Sequence, residues 1–158
     1  MGTSTDGIIA YGIAFEEEFE FPWDEELPYC EAGEIEDWWL HIHDFYNTSD
    51  YPFTLEGEYK EGKAEADCSV WFKKKDAFLK EHPVPVEKEN YCSGDYPMYA
   101  LIVPGTAFRA KRGYPANFYL EDLMKITVKQ IEDFKEFLDK YKLVYETEPA
   151  WLLMSYWG

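Results

Sequence analysis

Ile8–Phe15 reads IIAYGIAF and Trp151–Trp157 reads WLLMSYW. Both runs are apolar at nearly every position and rich in β-branched or aromatic residues, and both are short. Length and composition favour strands over helices, and Gly12 weakens a helix further. A strand apolar on both faces needs cover on both, which predicts that the two runs lie in the middle of one sheet. Between them, Ile35, Trp38, Trp39, Ile42 and Phe45 fall at helical spacing. Lys63–Glu81, without Gly or Pro, carries Cys68, Trp71, Phe72, Phe78 and Leu79 along one side and stops before Pro83. His82–Glu89 contains two prolines and reads as extended and edge-like. Met98–Val103 is a strand ended by the turn dipeptide Pro104-Gly105, with Phe108–Lys111 as its return strand. Thr127-Val128-Lys129-Gln130 has the form of a capping box, followed by Ile131, Phe134, Leu138 and Tyr141 at helical spacing.

The order of these elements predicts an α+β fold rather than regular βαβ winding. The expectation is a single compact domain over residues 1–158, long enough for a sizeable core. It would hold one mixed or antiparallel sheet of about four to five strands and about three helices, with the N- and C-terminal strands central. No internal repeat or linker divides the chain.

Charge is distributed very unevenly. Residues 1–59 hold 16 of the 32 acids and none of the 15 Lys and Arg, against a net charge of -17 for the whole chain. The densest part is Glu16–Asp37, EEEFEFPWDEELPYCEAGEIED, in which Phe19, Phe21, Trp23 and Tyr29 interrupt the carboxylates. Such asymmetry points to an interaction surface. Its sign argues against nucleic acid and anionic lipid, which need Lys and Arg, and favours a basic protein. Glu16, Glu17, Glu18, Glu20, Trp23, Asp24, Glu25, Glu26, Glu34, Glu36 and Asp37 are the expected partner-binding residues. Carboxylates on a folded surface imitate the phosphates of a nucleic acid, with rings as anchors. Phe15, Phe19, Phe21 and Trp23 alternate with acids, and their burial would hold segment 16–37 on the domain. The densest basic cluster, Lys73–Lys75 with Lys80, faces water or neutralises part of the acidic segment.

Other constellations are weaker. The acidic stretch lacks EF-hand spacing, which argues against Ca²⁺. His41 and His43 diverge on a helix, which argues against Zn²⁺. No metal or other cofactor is expected. The residues Ser4, Asp6, Cys92, Ser93 and Asp95 sit just before strands and form an alternative pocket for a small ligand or nucleotide. Cys92 has no base at a recognisable spacing, and no phosphate loop, dinucleotide fingerprint or serine elbow occurs, so no catalytic residue is assigned and a non-enzyme is expected. Cys30, Cys68 and Cys92 form no CxxC pair and read as reduced thiols. The start MGTSTDG lacks a basic and an apolar signal region, and no run of about 20 apolar residues occurs, so a cytoplasmic location is expected.

The blocks GTSTDGIIAYG, EFPWDEE, IEDWW, NYCSGDYPMY, LIVPG, RGYP and SYWG, spread from one end of the chain to the other, resemble a group of small proteins encoded by tailed bacteriophages. The group has no assigned activity, so the resemblance implies provenance alone: a phage product acting inside a bacterial cell. Together with the charge, the expected function is an acidic binding protein that engages a basic host protein, nucleic-acid-binding or defensive, as a mimic or inhibitor. A small-molecule-binding protein or small enzyme using the Asp6–Cys92 pocket is the alternative.

Overall fold

The apolar run near the N-terminus becomes β1 (Thr5–Ala14). Along the chain follow α1 (Ile35–Ile42), α2 (Phe45–Thr48), α3 (Glu65–Glu81), β2 (Glu87–Ser93), β3 (Pro97–Ile102), β4 (Phe108–Ala110), α4 (Leu120–Leu123), α5 (Val128–Lys140) and β5 (Ala150–Trp157). This computed structural model describes residues 5–16, 19–25, 27, 33–54, 57–95, 97–145 and 147–157. Two compact units emerge, Met1–Glu20 with Pro85–Gly158, and Phe21–Val84. Their boundary falls inside the acidic stretch, so each part of that stretch belongs with its own unit.

The first unit contains one mixed sheet in the order β3-β2-β5-β1-β4, so the terminal strands are central and adjacent. The fold class is α+β, as the element order implies. α1, α3 and α5 are the helices of eight or more residues, and α2 and α4 are single turns. β1 and β5 pair antiparallel from Thr5–Trp157 to Gly12–Ala150. On its other edge β1 also meets β3, with Gly12 opposite Ile102 and Ala14 opposite Ala100. β2 runs antiparallel to β3 and touches β5 in parallel at Cys92–Tyr156 and Ser93–Trp157. β1, β5, β2 and β3 therefore close into a ring.

Alternate residues fill that ring, as the period of a strand requires. Ile8 and Ala10 of β1, Ala100 and Ile102 of β3 and Met154 of β5 form a buried cluster, with Tyr91, Leu152 and Tyr156 packed on it. On the opposite face of β1 and β3, Ile13 and Leu101 are register partners, both buried. Closure depends on Gly12, because a Cβ there would collide with the Leu101 carbonyl.

Two sequence readings need correction. Phe108–Ala110 does not return along β3. It continues in the same direction, pairing with Gly7–Ile9 of β1. Val103–Ala107 is a bulge between two halves of one edge, held where the Val103 N–H donates to the Tyr11 carbonyl (2.8 Å) and the Tyr11 N–H donates to Thr106 Oγ1 (3.2 Å). The run Trp151–Trp157 is apolar on both faces but covered on one, with Leu153 83% exposed.

In α5, Thr127 Oγ1 accepts from the Gln130 N–H (3.2 Å) and Gln130 Oε1 accepts from the Thr127 N–H (3.0 Å), the reciprocal cap that the sequence predicts. The helix buries Phe134, Phe137 and Leu138.

The second unit is built on rings. Leu40, Phe45, Tyr46 and Trp71 form its buried cluster, backed by Tyr51, Phe78 and Leu79. Two of the indole nitrogens have acceptors: Trp71 Nε1 donates to Ser49 Oγ (2.7 Å) and Trp39 Nε1 to the His82 carbonyl (3.0 Å). Asp44, at positive φ, separates α1 from α2. Phe21 stacks on Trp23 at 4.9 Å, and Trp23 meets Trp38 edge-on at 5.4 Å.

Candidate functional site

The predicted acidic surface divides between the units. In the first, Phe15 extends β1 by one hydrogen bond, its N–H donating to the Tyr99 carbonyl (2.9 Å). A turn then follows in which the Phe19 N–H donates to the Glu16 carbonyl (3.1 Å) and the two phenyl rings lie 4.4 Å apart. This turn forms one wall of a groove of about 560 Å³, lined by Phe15, Glu16, Phe19, Tyr91, Met98 and Val144 among others. Tyr91 and Met98 are cross-strand partners at its floor. Burial, with a smaller part from neighbouring Cys92, raises the Tyr91 pKa. Its hydroxyl stays a donor at neutral pH, directed at the Phe15 carbonyl (3.5 Å). Glu16 and Glu20 are exposed, and among the described residues neither takes part in an ion pair. The groove is thus mainly apolar, with Glu16 as the one carboxylate among its described lining residues.

In the second unit the acids have unequal roles. Asp24 Oδ2 accepts from the Phe21 N–H (2.8 Å), a local turn contact. Lys75 Nζ reaches both Glu36 (2.9 Å) and Asp37 (3.2 Å), so one cation offsets part of the charge of these two carboxylates; among the described residues Lys73 and Lys74 form no ion pair with them. Burial lowers the Lys75 pKa, but the two carboxylates outweigh it and the net shift is upward. Glu25 and Glu34 are exposed. Trp23, predicted as a contact residue, is 1% exposed. It supports the segment from within and cannot present a face to a partner. Glu17, Glu18 and Glu26 lie outside the described residues, as does Ser4 of the alternative pocket.

The remaining members of that alternative pocket do converge. Asp6 and Cys92 are the cross-strand partners of Tyr156 on its two sides. Cys92 has φ 74°, rare for a residue with a side chain, at the point where β2 leaves β3 to meet β5. Their groups are otherwise engaged, however. Asp6 Oδ1 accepts from the Arg112 N–H (3.1 Å), Ser93 is 7% exposed and Asp95 stands exposed in the turn after β2. Cys92 itself is a free, half-buried thiol.

The hollow beside Tyr156 is lined instead by Lys88, Glu89, Asn90 and Arg109, and measures about 280 Å³. Glu89 is two residues from Tyr91, and Arg109 is opposite Ile8, so both point to the ring's inner face. There Arg109 Nη2 donates to both carboxylate oxygens of Glu89, at 2.7 and 2.6 Å. Sequence reasoning missed this pair. Glu89 lay at the end of a segment read as an edge, and nothing local linked it to an arginine 20 residues away.

Among the described residues, no three His, Cys, Asp or Glu gather as metal ligands, and no helix is long and apolar enough to cross a membrane. No protein-family model, curated protein or solved structure matches the chain.

Proposed function

We propose that this chain is a phage-encoded acidic binding protein that engages a basic surface of a host protein in the infected cell's cytoplasm, as a nucleic-acid mimic or inhibitor. The observation that carries this reading is the groove between Phe15, Phe19, Tyr91 and Met98 with Glu16 at its rim. Area and charge act together in such a place. An apolar or aromatic side chain entering the slot supplies burial worth about 1.5–3 kcal/mol, while carboxylates at the rim select Lys and Arg beside it and speed encounter. Glu16 and Glu20 carry the charge on the first unit, and Glu25 and Glu34 on the second; Glu36 and Asp37 already hold Lys75. The resemblance to phage proteins supports a host target, such as a nuclease, a polymerase subunit or a defence effector.

A pull-down from bacterial lysate at low and high salt finds the partner, and calorimetry on the purified pair tests the site. Charge reversal at Glu16 and Glu20 to Lys should weaken binding and flatten its salt dependence. Phe19→Ala should weaken it by about tenfold or more at every salt concentration. Retention of full affinity in both variants, or an empty pull-down at low salt, would sink the reading.

A further inference from the structure

We propose that the outer face of β4, β1 and β5 pairs two copies of this chain into a weak, two-fold symmetric dimer. The residues differ from those that line the acidic groove, so the dimer does not depend on the binding of a basic partner.

Cross-strand partners share one face of a sheet. Ile9 is opposite both Phe108 and Leu153, and Gly7 is opposite both Ala110 and Ser155. The pairs Tyr11–Trp151 and Thr5–Trp157 extend the same face in the two directions. Ring contacts agree with this register. Tyr11 lies edge-on to Trp151 at 5.6 Å, and Phe108 stands 6.5 Å from Trp151 across β1. The other face of these strands fills the ring, so Met154 is 7% exposed while its neighbour Leu153 is 83% exposed. None of these outer residues carries a charge at neutral pH, in a chain that is 30% charged.

Neutrality and relief choose the occupant. A Lys or Arg of a basic partner would lose water here without meeting a carboxylate, so the face turns away the partner that the acids select. Its relief fits itself. Leu153 stands out, and in the next row, about 7 Å along, Gly7 has no side chain and nothing within 4 Å of its Cβ position. Ala110 and Ser155 flank Gly7, which makes this row a shallow hollow. A second copy turned about a two-fold axis between the rows places each Leu153 in the other's hollow, the reciprocal contact of an isologous dimer. Area sets the strength. Four rows on three strands cover about 300 Å², less than half of the roughly 800 Å² per partner of a standard interface. Pairing is therefore weak, and like charge on the rest of both surfaces weakens it further at low salt.

Sedimentation equilibrium of the whole chain reads the association from about 10 μM to about 1 mM, the range of a weak encounter. The average mass should climb from one chain toward two. It should climb more steeply with added sodium chloride, opposite to the salt response expected of a basic partner. Leu153→Lys changes an exposed side chain and lowers the net negative charge, yet should weaken pairing by about tenfold or more. Ser155→Leu makes the face more apolar but fills the hollow, and it should weaken pairing too. Val144→Lys changes an apolar residue of the groove wall, 78% exposed, and should leave pairing unchanged. A chain that stays monomeric at about 1 mM, or pairing that survives Leu153→Lys or strengthens in Ser155→Leu, would overturn the proposal.

Discussion

An added Cβ at Gly12 would lie 2.7 Å from Cα of Ile102 and closer still to the Leu101 carbonyl oxygen. Both neighbours are backbone of β3, so no rotamer change relieves the contact. Gly12 is where β1 carries β5 on one edge and β3 on the other, so strain there falls on the closure of the ring. Gly12→Ala should cost about 3 kcal/mol or more, at the upper end of overpacking effects. Gly7, with nothing within 4 Å of its Cβ position, is the control. Gly7→Ala should leave the unfolding free energy from urea titration within about 0.5 kcal/mol of the parent. Equal midpoints for the two variants would mean that β3 moves away without penalty. The sequence supplied Gly12 as a helix breaker, but its real role depends on β3, whose register no local pattern specifies. Glu89 and Arg109 are the same kind of case. Each is an ordinary charged residue until strand alternation turns both inward.

At the scale of elements, legibility followed how local the determining interaction was. α5 was readable because its cap and its stripe lie within one segment. The Thr127 and Gln130 groups bond each other, and Phe134 and Leu138 share the buried face. Thr127→Ala should destabilise the chain by about 1 kcal/mol, seen as a lower thermal midpoint by circular dichroism, and Thr127→Ser should keep most of it. A Thr127→Ala melt identical to the parent would show that tertiary contacts hold the first turn without the cap. The terminal strands were readable as central because of their apolar density. Their outer cover was not, since Leu153 is as apolar as Leu152 and yet faces out. Pro104-Gly105 marks a turn in sequence whether the chain reverses or bulges. Thr106 and Tyr11, which decide for the bulge, are 95 residues apart. Trp23 was misplaced for the opposite reason, because carboxylates on either side masked a ring that packs on Trp38.

At the scale of the whole molecule, charge opposes the fold. Lys63, Lys75, Arg109, Lys125, Lys129 and Lys135 are paired with acids, so much of the positive charge is already committed locally. The excess of 17 negative charges acts over longer distances and favours expansion. Salt weakens both effects, and their magnitudes decide the sign. Exposed pairs such as Lys129–Asp133 contribute about 0–1 kcal/mol each, so screening them removes little. Repulsion summed over the surface is the larger quantity and is screened over about 10 Å at 0.1 M ionic strength. The melting temperature at neutral pH should therefore rise with added sodium chloride, by about 2–4 °C for each kcal/mol of repulsion relieved. Reversing Glu16 and Glu20 to Lys lowers the excess charge, so the variant should melt higher at low salt and gain less from added salt. A melting temperature that falls with salt in both proteins would place the local pairs ahead of the long-range field. The carboxylates around the groove would then be too dispersed to draw a basic partner.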